Sequence, residues 1–432
     1  MDFSVRNTRH VWVLVHRYAG LAMAGFLILV GLTGSLLAFL SELEHWISPQ
    51  LHAPIVDAPR LDGATLAERV QARLDSKAQV DGILMSAEDF VSVRVSPLDD
   101  PVTGEPFELD FDQLILDPFT GQELGRRSWG AISQGLDNLM PFIYQLHYEL
   151  ALDTVGIWIL GIVALVWTLD CFVGFYLTLP AGKKRNSGAR KHRSFWQRWQ
   201  VAWRIKWSGS PTRINFDLHR AGGLWLWLVL LIFAWSSVYM NLWDTVYAKV
   251  TDFFLELHEP WTDLSERENP LQNPKLSWRE AQETGARLME RAATQTGFSV
   301  ERQTILNLRR ELGMYVYGVR SSADFTDHGG GTRVFFDADS GTQRLLVLPS
   351  GQYSGNTVTA WLGALHMANV FGLPYRIFVC VLGLVIVLLS VTGILIWLRK
   401  RRSVRLKATL RDSAEARFRR PTLGRPLEES AE

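Results

Sequence analysis

The stretch that decides the fold is Val11–Leu40, VWVLVHRYAGLAMAGFLILVGLTGSLLAFL, in which Arg17 is the one charged side chain. About 20 apolar residues suffice to cross a bilayer as a helix, so this segment spans with residues to spare. Three further windows are nearly as free of charge, at 154–179, 221–243 and 375–398. The first window is too long and too far inside the chain for a cleaved signal peptide, and no small-residue cleavage site follows it. It reads as a permanent membrane helix.

Four histidines stand at the ends of these windows, and their placement repeats. His16 and His219 open the first and third, in His16-Arg17-Tyr18-Ala19-Gly20 and His219-Arg220-Ala221-Gly222-Gly223. His147 and His366 precede the second and fourth, and each is followed at one identical spacing by a glycine, Gly174 and Gly393. A histidine in or beside lipid is costly without a partner, so its default reading is functional. Two helices that each offer one imidazole at equal depth can hold a metal or haem between them.

Charge placement sets the orientation. Segment 180–218 carries ten Lys/Arg and one acidic residue, Asp217, and the tail begins Arg399-Lys400-Arg401-Arg402. Segment 41–145 has 18 Asp/Glu against 7 Lys/Arg. The positive-inside rule therefore puts both termini and the middle loop in the cytoplasm, and residues 41–153 and 244–374 outside. The net charge of +1 says nothing about partners, and the basic loop is explained by membrane topology, which disfavours nucleic-acid binding. Cys171 and Cys380 both lie in apolar windows and read as buried free thiols. No Cys-x-x-Cys-His is present, so covalent c-type haem attachment is excluded.

The chain reads as a duplicated unit. Asp117-Pro118-Phe119-Thr120-Gly121 matches Asp337-Ala338-Asp339-Ser340-Gly341, and His147/His366 and Gly174/Gly393 match at nearly the same offset. His16/His219 match at a shorter one, so the halves differ in loop length before the external segments. Both halves run in the same direction, which implies a pseudo-two-fold axis along the membrane normal. Each external segment offers a helical stretch (about 64–76 and 278–295), then alternating strands such as Val91-Ser92-Val93-Arg94-Val95 and Met314-Tyr315-Val316-Tyr317-Gly318-Val319. The Asp-x-x-Thr/Ser-Gly pentapeptides read as tight turns, with Asp accepting backbone N–H and Gly supplying positive φ. A calcium site is the weaker reading, because the EF-hand spacing is absent.

The expected fold is an α-helical membrane protein of four transmembrane helices, a duplicated 2+2 unit with two extracytoplasmic α+β domains. Its parts are a cytoplasmic N-terminus (1–10), helix one (11–40), an external domain (41–145), an outer His segment with helix two (146–179), a basic loop (180–218), helix three (219–243), a second external domain (244–360), an outer His segment with helix four (361–398) and a basic tail (399–432). In the basic loop Trp196, Trp199, Trp203 and Trp207 fall on one helical face, with Arg193, Arg198, Arg204 and Lys206 among them. A basic helix with an aromatic face suits the headgroup layer.

The pattern resembles the PepSY-associated transmembrane family. The likeness rests on His16-Arg17-x-x-Gly20, on Gly31-Leu32-Thr33-Gly34 later in the same helix, on Leu146-His147 and Leu365-His366, and on the paired external domains with their Asp-x-x-Thr/Ser-Gly turns. It covers nearly the whole chain apart from the basic tail. Where helix one has Gly31 and Gly34, helix three has Phe233-Ala234-Trp235-Ser236-Ser237, a departure that makes the two halves asymmetric there. The resemblance implies a bacterial inner-membrane protein. It also implies transmembrane electron transfer ending in reduction of ferric iron, since family members include dihaem reductases of ferric siderophores.

The expected sites follow. One haem b would lie between His16 and His219 on the cytoplasmic side and one between His147 and His366 on the outer side, each with bis-imidazole iron and no open position, which favours electron transfer over oxygen binding. Arg17 and Arg220 could neutralise propionates or simply anchor the helices. His45, in Glu42-Leu43-Glu44-His45-Trp46, and His258, in Glu256-Leu257-His258-Glu259-Pro260, could form an external metal or substrate-iron site; solvated loop residues are the plain alternative. Asp170 lies inside the second apolar window, where a carboxylate is costly, and could relay protons or pair with Arg376 or a backbone group. No nucleotide fingerprint appears, so a separate flavoprotein or quinol must supply electrons to a ferric-siderophore acceptor. Two rival readings are a non-enzymatic membrane protein that regulates a protease, and an iron or solute transporter with polar residues at the membrane midplane.

Overall fold

The computed structural model describes residues 5–181, 194–258 and 264–418. The first half runs α1 (Val5–Leu37), α2 (Leu40–Ile47), α3 (Gly63–Gln71), β1 (Ala78–Leu84), β2 (Val91–Pro97), β3 (Gln113–Leu116), β4 (Glu123–Arg127), α4 (Leu139–Glu149) and α5 (Asp153–Thr178). After α6 (Phe195–Trp199) the second half repeats that order: α7 (Pro211–Trp225), α8 (Trp227–Asn241), α9 (Ala248–Phe254), α10 (Trp278–Thr296), β5 (Val300–Arg309), β6 (Met314–Ser321), β7 (Thr332–Asp337), β8 (Gln343–Val347), α11 (Ser354–His366) and α12 (Gly372–Phe418). Among the described residues three helices are long and apolar enough to cross a membrane, Thr8–Leu37, Asp153–Thr178 and Gly372–Leu410. The expected third span is broken: α7 and α8 reach membrane length only together, as a pair bent at Leu226.

The chain forms two compact units. One draws on Met1–Ile28, Leu169–Trp227 and Ile386–Glu432, the other on Leu29–Thr168 and Leu228–Val385. In the second unit the strands of both halves form a single antiparallel sheet in the order β4-β3-β2-β1-β5-β6-β7-β8. The two α+β domains expected from sequence are thus one body, joined where Gly82, Ile83 and Leu84 pair with Asn307, Leu306 and Ile305. A Cβ on Gly82 would stand 2.1 Å from Asn307 Oδ1, so any other residue there would have to displace the Asn307 side chain from the seam. Arg310 locks it: Nε donates to Asp81 (2.6 Å), Nη2 to Val80 O and Nη1 to Leu271 O and Gln272 O.

Each half lays one helix on the sheet. Leu66, Ala67 and Val70 of α3 pack with Val80, Ile83, Val91, Val93 and Leu114. Ala281, Leu288 and Met289 of α10 pack with Leu306, Tyr315, Val319, Val334 and Phe336. Truncating one of these fully buried Leu side chains to Ala costs about 2–5 kcal/mol. The two pentapeptides form the same turn. Asp117 Oδ1 accepts Phe119 N–H and Thr120 N–H, Asp337 Oδ1 accepts Asp339 N–H and Ser340 N–H, and Gly121 and Gly341 both sit at φ +69°.

The tryptophan-rich helix is shorter than its periodicity predicts. Only Phe195–Trp199 is helical, opened by a Ser194/Gln197 capping box, and Arg193 lies outside the described residues. Trp196, Trp199 and Trp203 still adjoin in series, tilted and then edge-on, at 5.5 and 5.3 Å between ring centroids. Past its end the chain is held by tertiary donors: Arg220 takes Val201 O and Arg204 O, and the Trp225 indole takes Trp203 O.

Candidate functional site

The first unit brings His16 of α1 and His219 of α7 together, with ring centroids 6.1 Å apart. The second unit does the same for His147 of α4 and His366 of α11, at 6.2 Å. Metal–imidazole bonds of about 2.0–2.1 Å, plus roughly 1.1 Å from ring nitrogen to centroid, put two rings sharing one ion at about 6.2–6.4 Å. The two pairs lie just under and at the lower end of that range.

The hydrogen bonds around the rings decide which nitrogen is free. His16 Nδ1 donates to the Asp170 carboxylate at 2.9 and 3.0 Å. His219 Nδ1 donates to Leu389 O at 3.0 Å. The Thr33 hydroxyl gives its proton to Leu29 O and therefore accepts from His147 Nδ1, at 2.9 Å. The Ser236 hydroxyl gives its proton to Phe233 O and accepts from His366 Nδ1, at 2.7 Å. In all four rings Nδ1 faces an oxygen acceptor, and Nε2 has no hydrogen bond among the described residues, which leaves it toward a ligand.

These supports are themselves duplicated. Thr33 and Ser236 are separated by the offset that relates His16 to His219. Asp170 and Leu389 are separated by the offset of His147 and His366. Asp170 therefore belongs to the repeated core: its carboxylate does for His16 what the Leu389 carbonyl does for His219. Its partner is His16, while Arg376 donates to Glu42 (Nη1, 2.7 Å) and to Ala38 O (Nε, 2.9 Å). Arg376 holds the Glu42 carboxyl below its ordinary pKa, chiefly by that hydrogen bond.

Glycines make room for the rings. A Cβ on Gly34 would stand 2.9 Å from His147 Cε1, one on Gly393 3.1 Å from His219 Cε1, and one on Gly174 3.6 Å from His16 Cε1. At the place of Gly34 the second half has Ser237, and there the His366 ring instead lies against Phe233, at 5.1 Å. The helices carrying His147 and His366 turn sharply into the next helix through left-handed residues, Leu150 and Ala151 in one half and Ala368 and Phe371 in the other. Such backbone costs about 1–3 kcal/mol per residue and persists where packing fixes it.

The two arginines differ. Arg220 is committed, donating to buried Asp217 (2.8 Å) and to the loop carbonyls. Arg220 uses Nη2 for these bonds, and its Nε has no hydrogen-bond partner among the described residues. Arg17 makes no hydrogen bond or ion pair among the described residues and stays available to an anionic group beside His16. Of the external histidines, His258 stacks on Tyr353 at 4.9 Å. His45 instead meets His52 and Asp89, a neighbourhood the sequence does not signal.

The second unit also holds a cavity of about 420 Å³, lined by Tyr239, Trp243, Phe325, Arg333, Asn356 and Thr359 among others. Arg333 Nε is buried in it without a hydrogen-bond partner. Burial lowers the pKa of that guanidinium, and Asp324 opposes the shift. Asn356 and Thr359 lie on α11, and Thr359 precedes His366 by roughly two turns, about 10 Å along a helix.

Membrane-length apolar helices, a strand-rich body and two close histidine pairs define the class as a membrane protein. A family model described as the PepSY-associated TM region matches residues 13–400, and the chain belongs to that family. No protein with a curated description matches the chain.

Proposed function

We propose that the protein is a dihaem reductase of the bacterial inner membrane that passes electrons outward to ferric iron, held by a siderophore or a similar chelate. His16 and His219 would hold one haem b near the cytoplasmic face, and His147 and His366 a second near the outer face. The bent pair α7–α8 completes four spans in two parallel halves, and the sheet lies outside. The observation that carries this reading is the spacing of 6.1 and 6.2 Å in two pairs whose four rings all keep Nε2 free. A bound haem supplies one-electron transfer without an open iron position.

The chain's own residues do the rest. Asp170, Leu389, Thr33 and Ser236 fix tautomer and ring orientation, which raises the basicity of the ligand nitrogen. Arg17 offers charge to a propionate. The cavity beside α11 would suit a ferric chelate: its Tyr239, Trp243 and Phe325 side chains offer apolar contact to an organic ligand, and the Arg333 guanidinium, whose Nε has no hydrogen-bond partner among the described residues, would address anionic oxygens. Electrons would arrive from a separate flavoprotein or quinol.

A reduced-minus-oxidised absorbance spectrum of the purified protein tests this. Two haem b per chain are expected, with His16→Ala and His366→Ala each removing one. A colourless protein indifferent to both changes would favour a protease regulator or a solute transporter.

A further inference from the structure

One cluster of metal-ligand side chains plays no part in the haem sites. His45 lies on α2, and a short 3-10 turn, Pro49–Leu51, folds the chain back to set His52 beside it, with ring centroids 4.5 Å apart. Asp89 comes from the β1–β2 loop, which is tied to this corner by Ala53 N–H donating to Asp89 O at 2.8 Å. Both imidazoles address the same oxygen: Asp89 Oδ2 lies 2.7 Å from His52 Nδ1 and 3.5 Å from His45 Nδ1. One ligand atom from each residue falls within 4.8 Å of the other two.

The burial is graded as an exchangeable site requires. The His52 side chain is 5% exposed, Asp89 23% and His45 61%. His52 also packs edge-on against Phe90, at 5.4 Å, and its Nε2 is buried with no hydrogen-bond partner. Bond lengths of about 2.0–2.2 Å place tetrahedral ligand atoms roughly 3.3–3.5 Å apart. The His45–Asp89 distance already meets this, and the His52–Asp89 contact would widen by less than about 1 Å.

We propose that His45, His52 and Asp89 bind a first-row divalent transition-metal ion, in the class of Fe2+ and Zn2+. Two imidazoles and one carboxylate suit those ions, and the exposed side at His45 leaves coordination positions for water or a passing ligand. Hard cations such as Mg2+ and Ca2+ prefer all-oxygen cages and are disfavoured. The site stands on its own geometry and does not depend on haem occupancy.

Zn2+ titrated calorimetrically into tag-free, chelator-washed full-length protein in detergent tests the assignment. One site is expected in the unaltered protein and in His258→Ala, weakened more than about 10-fold in His45→Ala and in Asp89→Asn. His45 is mostly exposed, so its removal should leave the circular dichroism and melting curve unchanged, and lost binding then reports a lost ligand. Anaerobic Fe2+ should displace Zn2+ competitively at higher concentration, in keeping with the weaker affinity of Fe2+ for such ligands. Binding that is absent in the unaltered protein, or equal in His45→Ala, would overturn the proposal and leave His52–Asp89 as a buried hydrogen bond. Neither result bears on the haem spectrum.

Discussion

Asp170 Oδ2 lies 2.9 Å from His16 Nδ1, inside an apolar helix, and the position that matches it in the second half is Leu389, whose backbone carbonyl takes His219 Nδ1 at 3.0 Å. One ring of the pair is therefore held by a carboxyl group and the other by a backbone carbonyl dipole. A carboxylate makes its imidazole the more basic ligand and favours the oxidised, more positive metal. With haem bound, Asp170→Asn should raise the midpoint potential of the haem between His16 and His219, by about 59 mV for each tenfold loss of ferric preference. The other haem should stay where it was. A potentiometric titration with resolved components checks this.

The second pair depends on two hydroxyls whose protons are already given away. Thr33 donates to Leu29 O and Ser236 to Phe233 O, so each must accept from its histidine. Thr33→Val and Ser236→Ala each remove an acceptor and free the ring to adopt the wrong tautomer. Haem affinity at the His147–His366 site should fall about 10–100-fold in either variant. Gly34→Ala acts on the same ring sterically, with its Cβ 2.9 Å from His147, and should lower occupancy more than Gly174→Ala, whose Cβ would lie 3.6 Å from His16. Haem-to-protein ratios after purification rank all four.

Much of this was legible in the sequence because duplication supplies its own control. The offsets that carry His16 onto His219 and His147 onto His366 predicted which histidines meet. What the offsets hide is any backbone group: Leu389 reads as an apolar residue, so its side chain gives no sign that its carbonyl does for His219 what Asp170 does for His16. The joining of the external segments into one sheet was hidden as well, because β1 and β5 come from opposite halves of the chain and no local pattern marks Gly82 as a seam. Trp203 and Trp207 continue a helical stripe in sequence, yet the helix stops where Arg220 takes the carbonyls of Val201 and Arg204. The His52–Asp89 contact joins an α2–α3 turn to a strand loop with no recognisable motif.

The paired pentapeptide turns predict an acid transition. Burial alone would raise the pKa of Asp117, but the N–H groups of Phe119 and Thr120 prevail and hold it below the ordinary value. For Asp337 burial is likewise outweighed, by Ser340 first and then Asp339. A carboxyl depressed by folding stabilises fully above its unfolded pKa of about 3.9 and loses that contribution as pH falls through its lower folded pKa. Melting temperature should therefore fall as pH drops below about 4. The double variant Asp117→Asn, Asp337→Asn keeps the turn acceptors and removes the charges. It should melt lower than the unaltered protein at about pH 6 and lose part of its pH dependence below about pH 4.

Arg17 and Arg220 occupy equivalent places after the two histidines, and the structure gives them different work. Arg220 holds Asp217, which is fully buried, and the carbonyls of Val201 and Arg204 just past the tryptophan helix. Its removal leaves a buried carboxylate with Arg213 as its remaining side-chain partner, at 2.7 Å, and unbinds the loop from α7. Truncating one partner of a buried, hydrogen-bonded ion pair costs about 3–5 kcal/mol, less here to the extent that Arg213 compensates. Arg220→Ala should thus expose residues 194–210 to limited proteolysis and lower the melting temperature. Arg17→Ala should leave both unchanged while weakening haem retention at the His16–His219 pair. If instead the two variants behave alike in proteolysis, the loop is held by something other than Arg220, and the asymmetry assigned to the two halves fails.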